Sequence, residues 1–173
     1  MSLLPRDTLR RELRAKRRAL PAAIRIAAAE ALAARLLTLP YAPVSGPVAG
    51  YWAMDGEIAL HAWQLRLPRD CTYCLPVLHE DRLLRFAPWR PGAPLVGFDP
   101  NGHRLGMGGG WYDRTFAFRR DRAAPPFLVG AAFAAQQVDS VSPQPWDMPL
   151  DALCSERDTH LFDTSLIQPV PAT

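Results

Sequence analysis

The sequence predicts a single three-layer α/β/α domain with a mostly parallel central sheet. Helical periodicity of apolar residues fills the amino-terminal part of the chain, and short apolar segments bounded by turn residues alternate with further helical patterns beyond it. The chain has 173 residues, of which 49% are hydrophobic, so it can bury one substantial core and is too short to require two. Residues 1–173 are therefore expected to form one domain.

Two helices are predicted at the amino end. The first runs from Arg6 to Leu20, with Asp7 or Thr8 available as its cap. The second begins with Pro21 in its first turn and reaches about Leu39. The residues expected to face the core are Leu9, Leu13 and Leu20 in the first helix, and Ile24, Ala28, Leu32 and Leu36 or Leu39 in the second.

The first predicted helix carries a row of arginines at spacings of three and four residues: Arg6, Arg10, Arg14 and Arg17. Positive charges in such a row repel one another unless an anion lies beside them. The pattern is compatible with a solvated basic face, a phosphate-binding face or a nucleic-acid contact. The interleaved aromatic residues that single-strand binding would use are absent, so nucleic-acid contact is the weakest of the three.

An acidic residue stands after the first predicted strand. Val48–Trp52 is an apolar strand candidate, Asp55-Gly56 predicts a turn, and Glu57 opens a short helix through Leu65. Glu57 therefore lies just beyond the carboxyl end of a strand, where open α/β sheets bind ligands. The alternative is an ordinary acidic residue that favours a helix start.

Four later segments have strand character. Thr72–Val77 and Leu83–Phe86 are predicted to pair as a hairpin, and Phe127–Ala132 and Leu150–Cys154 are further candidates. Gln168–Thr173 is expected to be a loose tail.

Composition narrows the function classes. The formal charge of +3 and the pI near 9.0 are mild, and they suit an anionic small ligand at least as well as nucleic acid. Neither a signal peptide nor an apolar run of membrane-spanning length is apparent, so we expect a cytoplasmic protein. Cys71 and Cys74 form a C-x-x-C pair, but residues three apart in a strand point to opposite faces, and we predict no redox or zinc role for them.

A glycine-rich segment dominates the middle of the chain. Six of the eleven glycines lie between Gly97 and Gly110, with Arg104 among them. Glycine lets backbone N–H groups approach a ligand without an intervening Cβ, and successive N–H groups form a concave site for anionic oxygens. An apolar strand before the segment and a helix that starts near Gly110 would give the strand, loop and helix geometry in which phosphates bind. Neither the Walker A pattern nor the dinucleotide fingerprint fits, so the residues predict only a phosphate- or nucleotide-binding loop.

The segment from Phe98 to Asp113, F-D-P-N-G-H-R-L-G-M-G-G-G-W-Y-D, resembles the signature of the 5-formyltetrahydrofolate cyclo-ligase family. Two other regions extend the resemblance. Arg6 and Arg10 match a Lys-x-x-x-Arg pair in the family's first helix, and Phe133–Gln136 followed by Asp147 matches a pattern near its end. Arginine in the lysine position keeps the positive charge but not the compact ammonium geometry.

The resemblance implies a role for each matching residue. ATP would be bound by Arg6, Arg10, Arg104, Leu105, Gly106, Met107, Gly108, Gly109, Gly110, Trp111 and Tyr112. The folate substrate would contact Arg10, Trp52, Glu57, Met107, Gly108, Gly109, Gly110 and Trp111. Arg104 and Glu57 would be catalytic, and Asp113 and Asp147 would hold Mg²⁺. A divalent cation is physically reasonable there, because a carboxylate that points at a triphosphate is repelled unless a cation lies between them.

The implied reaction is the ATP-dependent closure of 5-formyltetrahydrofolate to 5,10-methenyltetrahydrofolate, by phosphorylation of the formyl oxygen, with release of ADP and phosphate. Such chemistry needs positioning and charge neutralisation rather than a protein nucleophile. ATP and Mg²⁺ are the implied cofactors, and a monomer without nucleic-acid or membrane partners is expected. The alternatives are a catalytically silent nucleotide- or folate-binding module and, less favoured, a basic protein that contacts RNA or DNA.

One stretch departs from the family's pattern. Members of the family have a longer connection, including a strand, between the hairpin at Leu83–Phe86 and the glycine-rich segment, whereas only Ala87–Pro94 intervenes here. The sequence therefore predicts an omitted or deleted stretch near residues 91–95, and we favour the omission.

Overall fold

The computed structural model describes residues 5–88, 97–98, 104–105, 109–122 and 124–162. The stretch near residues 91–95 and the tail from Gln168 to Thr173 lie outside these ranges, so the predictions for both stay predictions. The helices are α1 (Arg6–Arg18), α2 (Ala22–Leu37), α3 (His61–Gln64) and α4 (Trp111–Thr115), with 3-10 turns at Ala117–Arg120 and Ala134–Gln136. The strands are β1 (Gly46–Ala49), β2 (Cys71–Leu78), β3 (Leu84–Pro88), β4 (Gly97–Phe98), β5 (Arg104–Leu105), β6 (Val129–Ala131), β7 (Ala152–Cys154) and β8 (Thr159–Leu161).

The two amino-terminal helices form where the periodicity predicts them. The cap of α1 is wrong in the prediction: Pro5 occupies that position without a side-chain hydrogen bond, and Asp7 lies in the first turn. α2 buries Ala28, Leu32 and Leu36 as expected, but Ile24 is 52% exposed, and burial in this helix begins only at Ala28. Across the described residues, every helix is too short or too polar to cross a bilayer.

The segment after β1 differs from its prediction. The strand ends at Ala49 rather than Trp52, and the helix expected from Glu57 begins only at His61. The Asp55-Gly56 turn is confirmed, with φ of +54° and +78°. Left-handed torsions do not continue into a right-handed helix, and residues 57–60 that follow the turn are not helical.

The described strands form mixed sheets. β2 pairs in parallel with β1 and antiparallel with β3, and β7 pairs in parallel with β6 and antiparallel with β8. β4 and β5 form a separate antiparallel pair. The α/β class and the predicted hairpin are therefore confirmed, whereas a mostly parallel sheet is not, since each parallel pair has an antiparallel neighbour. β8 was not expected, because its residues Thr159–Leu161 follow a polar segment without an apolar run.

The core consists of two main apolar clusters on opposite sides of β7. Ala152 and Cys154 pack with α2, α3 and strands β1 and β2. Leu153 belongs to the other cluster, whose further buried members are Phe116, Leu128, Ala132, Met148 and Leu150. All three residues of β7 are buried. Successive side chains of a strand point to opposite faces, so β7 is covered on both.

A smaller apolar cluster packs α1 against the carboxyl-terminal half of the chain. Leu13 is 1% exposed and packs against Val141, with Leu9 and Val138 beside them. This contact fixes the helix next to the segment that leads to Asp147, which brings its first turn towards the glycine-rich segment's exit.

Candidate functional site

The glycine-rich segment ends in a tight turn at the start of α4. Gly110 is the N-cap residue and has φ of +62°, a conformation that glycine adopts without the steric cost of a Cβ. A Cβ there would lie 2.9 Å from Nη1 of Arg114. Arg114 folds back over the turn, donating from Nη2 to the carbonyl of Gly109 at 2.6 Å, and its guanidinium carbon lies 5.7 Å from the centre of the Trp111 ring. The predicted helix start near Gly110 is confirmed, although α4 has only five residues.

A hollow of about 430 Å³ opens beside this turn. Its lining combines backbone from the glycine-rich segment with one carboxylate, two guanidinium groups and an indole: Gly109, Gly110, Asp113, Arg114, Arg120 and Trp146. Trp146 is 60% exposed, so its ring is available to a ligand. A volume of this order is typical of sites for small molecules.

Two aspartates that are distant in sequence both bind backbone N–H groups of the segment from residue 144 to 148. Oδ1 of Asp113 accepts a hydrogen bond from the backbone N–H of Met148 at 3.0 Å. Asp147 accepts a hydrogen bond through Oδ2 from the backbone N–H of Gln144, also at 3.0 Å. Asp113 is thus tied to the residue that directly follows Asp147.

The first turn of α1 reaches the same place. Nη1 of Arg6 donates to Oδ2 of Asp147 at 2.9 Å and to the carbonyl of Ser142 at 3.2 Å. Arg10, one turn further along, donates to Oδ1 of Asp7 at 2.6 Å. The structure therefore joins Arg6 directly to Asp147, whereas Arg10 forms an ion pair along its own helix.

The carboxyl-terminal end of α1 contacts the turn that precedes Glu57. Arg17 is completely buried; its Nε donates to the carbonyl of Asp55 at 2.9 Å, and its Nη2 donates to Oδ2 of the same residue at 2.7 Å. Arg18 also contacts the Asp55 carboxylate, and Nε of Arg14 lies 3.9 Å from it. A solvated basic face is therefore wrong for the carboxyl-terminal half of the arginine row, because acidic residues of the same chain neutralise it.

Glu57 lies within this cluster and is 8% exposed. Its Oε2 accepts a hydrogen bond from the backbone N–H of Met54 at 2.7 Å. Its Oε1 lies 2.9 Å from Nη2 of Arg17, close enough for an ion pair but without the alignment of a hydrogen bond. Trp52, in the same segment, is 45% exposed.

Burial and charge act differently on the two carboxylates of the cluster. Burial raises the pKa of Glu57 to about 7, against the lowering effects of the Met54 N–H and of Arg17. Burial would also raise the pKa of Asp55, but the hydrogen bonds from Arg17 and Arg18 outweigh it and lower that pKa. Near neutral pH the cluster therefore holds one firmly ionised carboxylate and one that titrates.

Sequence reasoning assigned no individual role to Arg17 or Asp55, yet both organise this part of the structure. A signal was present for the first: Arg17 follows Leu13 by four residues and precedes Leu20 by three, so it falls on the apolar face of α1. No comparable signal marks Arg120 and Trp146, because only the folded chain brings them to the hollow.

Some predicted site residues are described only by their backbone, and others lie outside the described ranges. Arg104 and Leu105 are described as the backbone of β5, paired with β4. Gly106, Met107 and Gly108 lie outside the described residues. Tyr112 packs its ring on Phe116, with the ring centres 5.9 Å apart.

The fold and the site together define an α/β protein in which a glycine-rich turn, one aspartate and two arginines line a hollow of small-molecule size. The ion pair of Arg6 with Asp147 lies next to Met148, which binds the aspartate of that lining. The sequence model of the 5-formyltetrahydrofolate cyclo-ligase family matches residues 93–156. A 5-formyltetrahydrofolate cyclo-ligase from Haemophilus influenzae is 31% identical over 183 residues, covering 87% of this chain and 97% of that protein. The relative from Escherichia coli K12 is 34% identical over 122 residues, covering 70% of this chain and 56% of that protein.

Two solved structures share the fold. The chain is similar to a 5,10-methenyltetrahydrofolate synthetase from Mycoplasma pneumoniae, with a TM-score of 0.72 at 21% identity over 88% of this chain and 99% of that one. It is also similar to the Aquifex aeolicus 5,10-methenyltetrahydrofolate synthetase, with a TM-score of 0.73 at 24% identity over 92% and 93%. The chain belongs to the 5-formyltetrahydrofolate cyclo-ligase family, and the resemblance of the segment from Phe98 to Asp113 is confirmed.

The alignment with the H. influenzae relative also bears on chain length. It spans 183 positions, whereas 87% of this 173-residue chain is considerably fewer residues. The relative therefore has residues within the matched region that this chain lacks. Where the difference lies along the chain stays a prediction.

Proposed function

We infer that the chain is an ATP-dependent 5-formyltetrahydrofolate cyclo-ligase, which closes 5-formyltetrahydrofolate to 5,10-methenyltetrahydrofolate with release of ADP and phosphate. Membership of the family carries the reaction class. The single structural observation that supports it best is that three distant parts of the chain come together. Arg6 of α1 binds Asp147, and Asp113 of α4 binds the next residue, Met148.

The glycine-rich turn and Arg6 are proposed to bind the triphosphate. Backbone N–H groups near Gly109 and Gly110 can approach phosphate oxygens closely, because those two residues have no side chains. Arg6 of α1 binds Asp147, the residue before the Met148 that Asp113 contacts, and is proposed to add a positive charge beside the hollow. Arg10 and Arg104 are proposed to add further charge, and the neighbouring residues Leu105, Gly106, Met107, Gly108, Trp111 and Tyr112 to complete the ATP site.

Asp113 and Asp147 are proposed to hold Mg²⁺. Within the described parts of the chain, no three His, Cys, Asp or Glu side chains are close enough to form a metal site by themselves. Two carboxylates suit magnesium nonetheless, because it keeps several waters and takes substrate phosphates as ligands. When bound, the ion would neutralise charge on the phosphates.

The chemistry proposed for the site is the activation of a poor leaving group. The formyl oxygen of the folate attacks the γ-phosphorus, the bond to the β-phosphate oxygen breaks, and ADP is released. The neighbouring amine nitrogen then attacks the formyl carbon and loses its proton, and the carbon–oxygen bond breaks to release phosphate. The protein supplies orientation and electrostatic stabilisation. Arg104 is proposed to stabilise the negative charge that develops during phosphoryl transfer.

The folate is proposed to bind against Trp52 and Glu57, with Arg10 and the segment from Met107 to Trp111 also contributing. The exposed indole of Trp52 offers a flat surface on which the pterin ring can stack. The Glu57 carboxylate is proposed to accept hydrogen bonds from the ring's N–H groups, and it is fixed for this by Met54 and Arg17.

Turnover tests the proposal directly. The protein is incubated with 5-formyltetrahydrofolate, ATP and Mg²⁺, and formation of the methenyl product is followed by its absorption. We expect turnover by the wild type and its loss in Arg104→Ala, with the circular dichroism spectrum unchanged. Binding of ATP and folate without turnover would instead identify a silent binding module.

Three further features belong to this proposal. We propose a cytoplasmic location, a monomer and a three-layer α/β/α arrangement; coverage of β7 on both faces supports the layering. Sedimentation in the presence and absence of both substrates would test the monomer.

A further inference from the structure

We propose that Arg17 is a positioning residue for folate binding, which holds the Glu57 carboxylate and the turn before it in the orientation that the substrate requires. The inference rests on the proposed function, because Glu57 is a proposed folate contact. No role in the reaction follows for Arg17 from the resemblance that supplied the other site residues.

The contacts of Arg17 are directed at one turn. Its guanidinium group binds both the backbone carbonyl and the side chain of Asp55, at 2.9 and 2.7 Å. The same Nη2 lies 2.9 Å from Oε1 of Glu57. One side chain of α1 therefore fixes a backbone position and two carboxylates that are two residues apart.

The turn needs such support because its backbone is unusual. Asp55 and Gly56 both have positive φ, and a Cβ on Gly56 would lie 3.4 Å from Cα of Arg18. The turn is therefore pressed against α1. A non-glycine residue such as Asp55 holds a left-handed conformation only when its surroundings over-determine it. Arg17 supplies two of those contacts, to the carbonyl and to the carboxylate of Asp55.

Arg17 cannot act on the substrate itself, because its side chain is completely buried. Its effect must pass through Glu57, whose Oε2 is held separately by the N–H of Met54. The hydrogen bond to Oε2 and the ion pair at Oε1 act from different directions and together restrict the orientation of the carboxylate. A buried ion pair adds little net stability, since desolvation of the charges offsets their attraction, so orientation is the better explanation for this one.

The test compares four variants with the wild type by equilibrium binding of 5-formyltetrahydrofolate and by steady-state kinetics. These are Arg17→Met, Arg17→Lys, Glu57→Gln and the double variant of Arg17→Met with Glu57→Gln. Arg18→Met is the matched control, because Arg18 contacts the same Asp55 carboxylate but is 61% exposed and does not contact Glu57. Circular dichroism establishes that each variant is folded.

We expect Arg17→Met to weaken folate binding about tenfold or more while the KM for ATP changes by less than about twofold. Arg17→Lys should recover part of the loss, because it restores the charge but not the bidentate geometry. Arg18→Met should bind folate as the wild type does. If Arg17 acts through Glu57, Arg17→Met should have no further effect in the Glu57→Gln background.

The outcomes separate this inference from the function on which it rests. If Glu57→Gln weakens folate binding and Arg17→Met does not, Arg17 has no positioning role and the proposed folate site stands. If Arg17→Met lowers affinity equally in the wild-type and the Glu57→Gln backgrounds, or weakens ATP binding to the same degree, the role assigned to Arg17 is wrong. Should Arg17→Met fail to fold, Arg17→Lys carries the same comparison with Glu57→Gln. If the wild type itself neither binds nor converts the folate, the proposed function fails first.

Discussion

Glu57 is a carboxylate whose surroundings make it titrate near neutral pH. Burial raises its pKa to about 7 from 4.5, so the folded protein binds more protons than the unfolded chain between those values. Stability contributed by this group is therefore fully present below pH 4.5 and falls as the pH rises to about 7. We expect the free energy of unfolding of the wild type, relative to that of Glu57→Gln, to decrease across this window and to level off above it.

Urea denaturation at closely spaced pH values measures this difference. The glutamine variant is the appropriate reference, because it keeps the size of the side chain and removes the titration. Asp55 does not interfere: its pKa is lowered from 3.8, so its own contribution is lost only at more acidic pH. A difference that grows with pH below 4.5 and stays level between 4.5 and 7 would show instead that the ion pair with Arg17 outweighs burial and that the Glu57 pKa is depressed.

At the scale of elements, α1 joins the two halves of the proposed site. Arg6 in its first turn binds Asp147, and Arg17 near its end binds Asp55 and Glu57. The buried contact should dominate its stability. We expect Arg17→Met to lower the free energy of unfolding by about 3–5 kcal/mol, because it leaves a buried carboxylate without its cation.

The matched substitution on the same helix is Arg18→Met, whose side chain is 61% exposed. An exposed ion pair contributes about 0–1 kcal/mol, so this variant should unfold almost as the wild type does. Denaturant titration of both variants gives the comparison. Equal losses would mean that the cluster acts through net charge rather than through the buried geometry of Arg17.

The start of α4 depends on a glycine for two separable reasons. Gly110 has a left-handed backbone, and a Cβ there would meet Nη1 of Arg114 at 2.9 Å. Gly46 shares the positive φ, but a Cβ on it would have nothing within 4 Å. Gly46→Ala should therefore cost about 1–2 kcal/mol of stability for the backbone alone, and Gly110→Ala should cost more.

Activity separates the two glycine variants further. Gly110→Ala is expected to raise the KM for ATP, because it displaces Arg114 from the turn that lines the hollow, whereas Gly46→Ala should leave that KM unchanged. Thermal denaturation and steady-state kinetics on both variants provide the measurement. The proposed role of this turn in nucleotide binding is contradicted if the two variants show the same KM.

Elements differ in how far the sequence could predict them. The periodicity of α1 and α2 is strong enough to fix both helices to within two residues, and the β2–β3 hairpin is marked by a polar break between apolar runs. The start of α3 was missed because Asp55 and Gly56 take left-handed torsions, which the residue types permit but do not require. The arginine row does not distinguish Arg17 from its neighbours, although its position between Leu13 and Leu20 places it on the buried face of α1.

At the scale of the whole molecule, the site is assembled from parts of the chain far apart in sequence. Asp113 and Asp147 could be paired before the fold was known only through the family's signature, since nothing in their local sequence links them. The ion pair between Arg6 and Asp147 was not predicted at all, because long-range contacts leave no periodic trace. The family resemblance supplied the function, whereas local pattern alone predicted only a phosphate- or nucleotide-binding loop.

The two apolar clusters that share β7 imply that the described strands and helices unfold together. α2 and the Phe116 region pack on opposite faces of the same three residues, so neither cluster can open without exposing the other. We expect one calorimetric transition whose enthalpy agrees with the van't Hoff value, shifted to higher temperature by ATP and Mg²⁺. Two resolved transitions would contradict a single domain over residues 1–173.

The central claim is that the triphosphate is used to activate the formyl oxygen, and the fate of that oxygen tests it most directly. The folate is labelled at the formyl group with a heavy isotope of oxygen, and the phosphate released during turnover is analysed by mass spectrometry. We predict one labelled oxygen in each phosphate, formed in equal amount with ADP and the methenyl product. Unlabelled phosphate alongside the methenyl product would contradict the account, because ring closure would then proceed without phosphorylation of the formyl group.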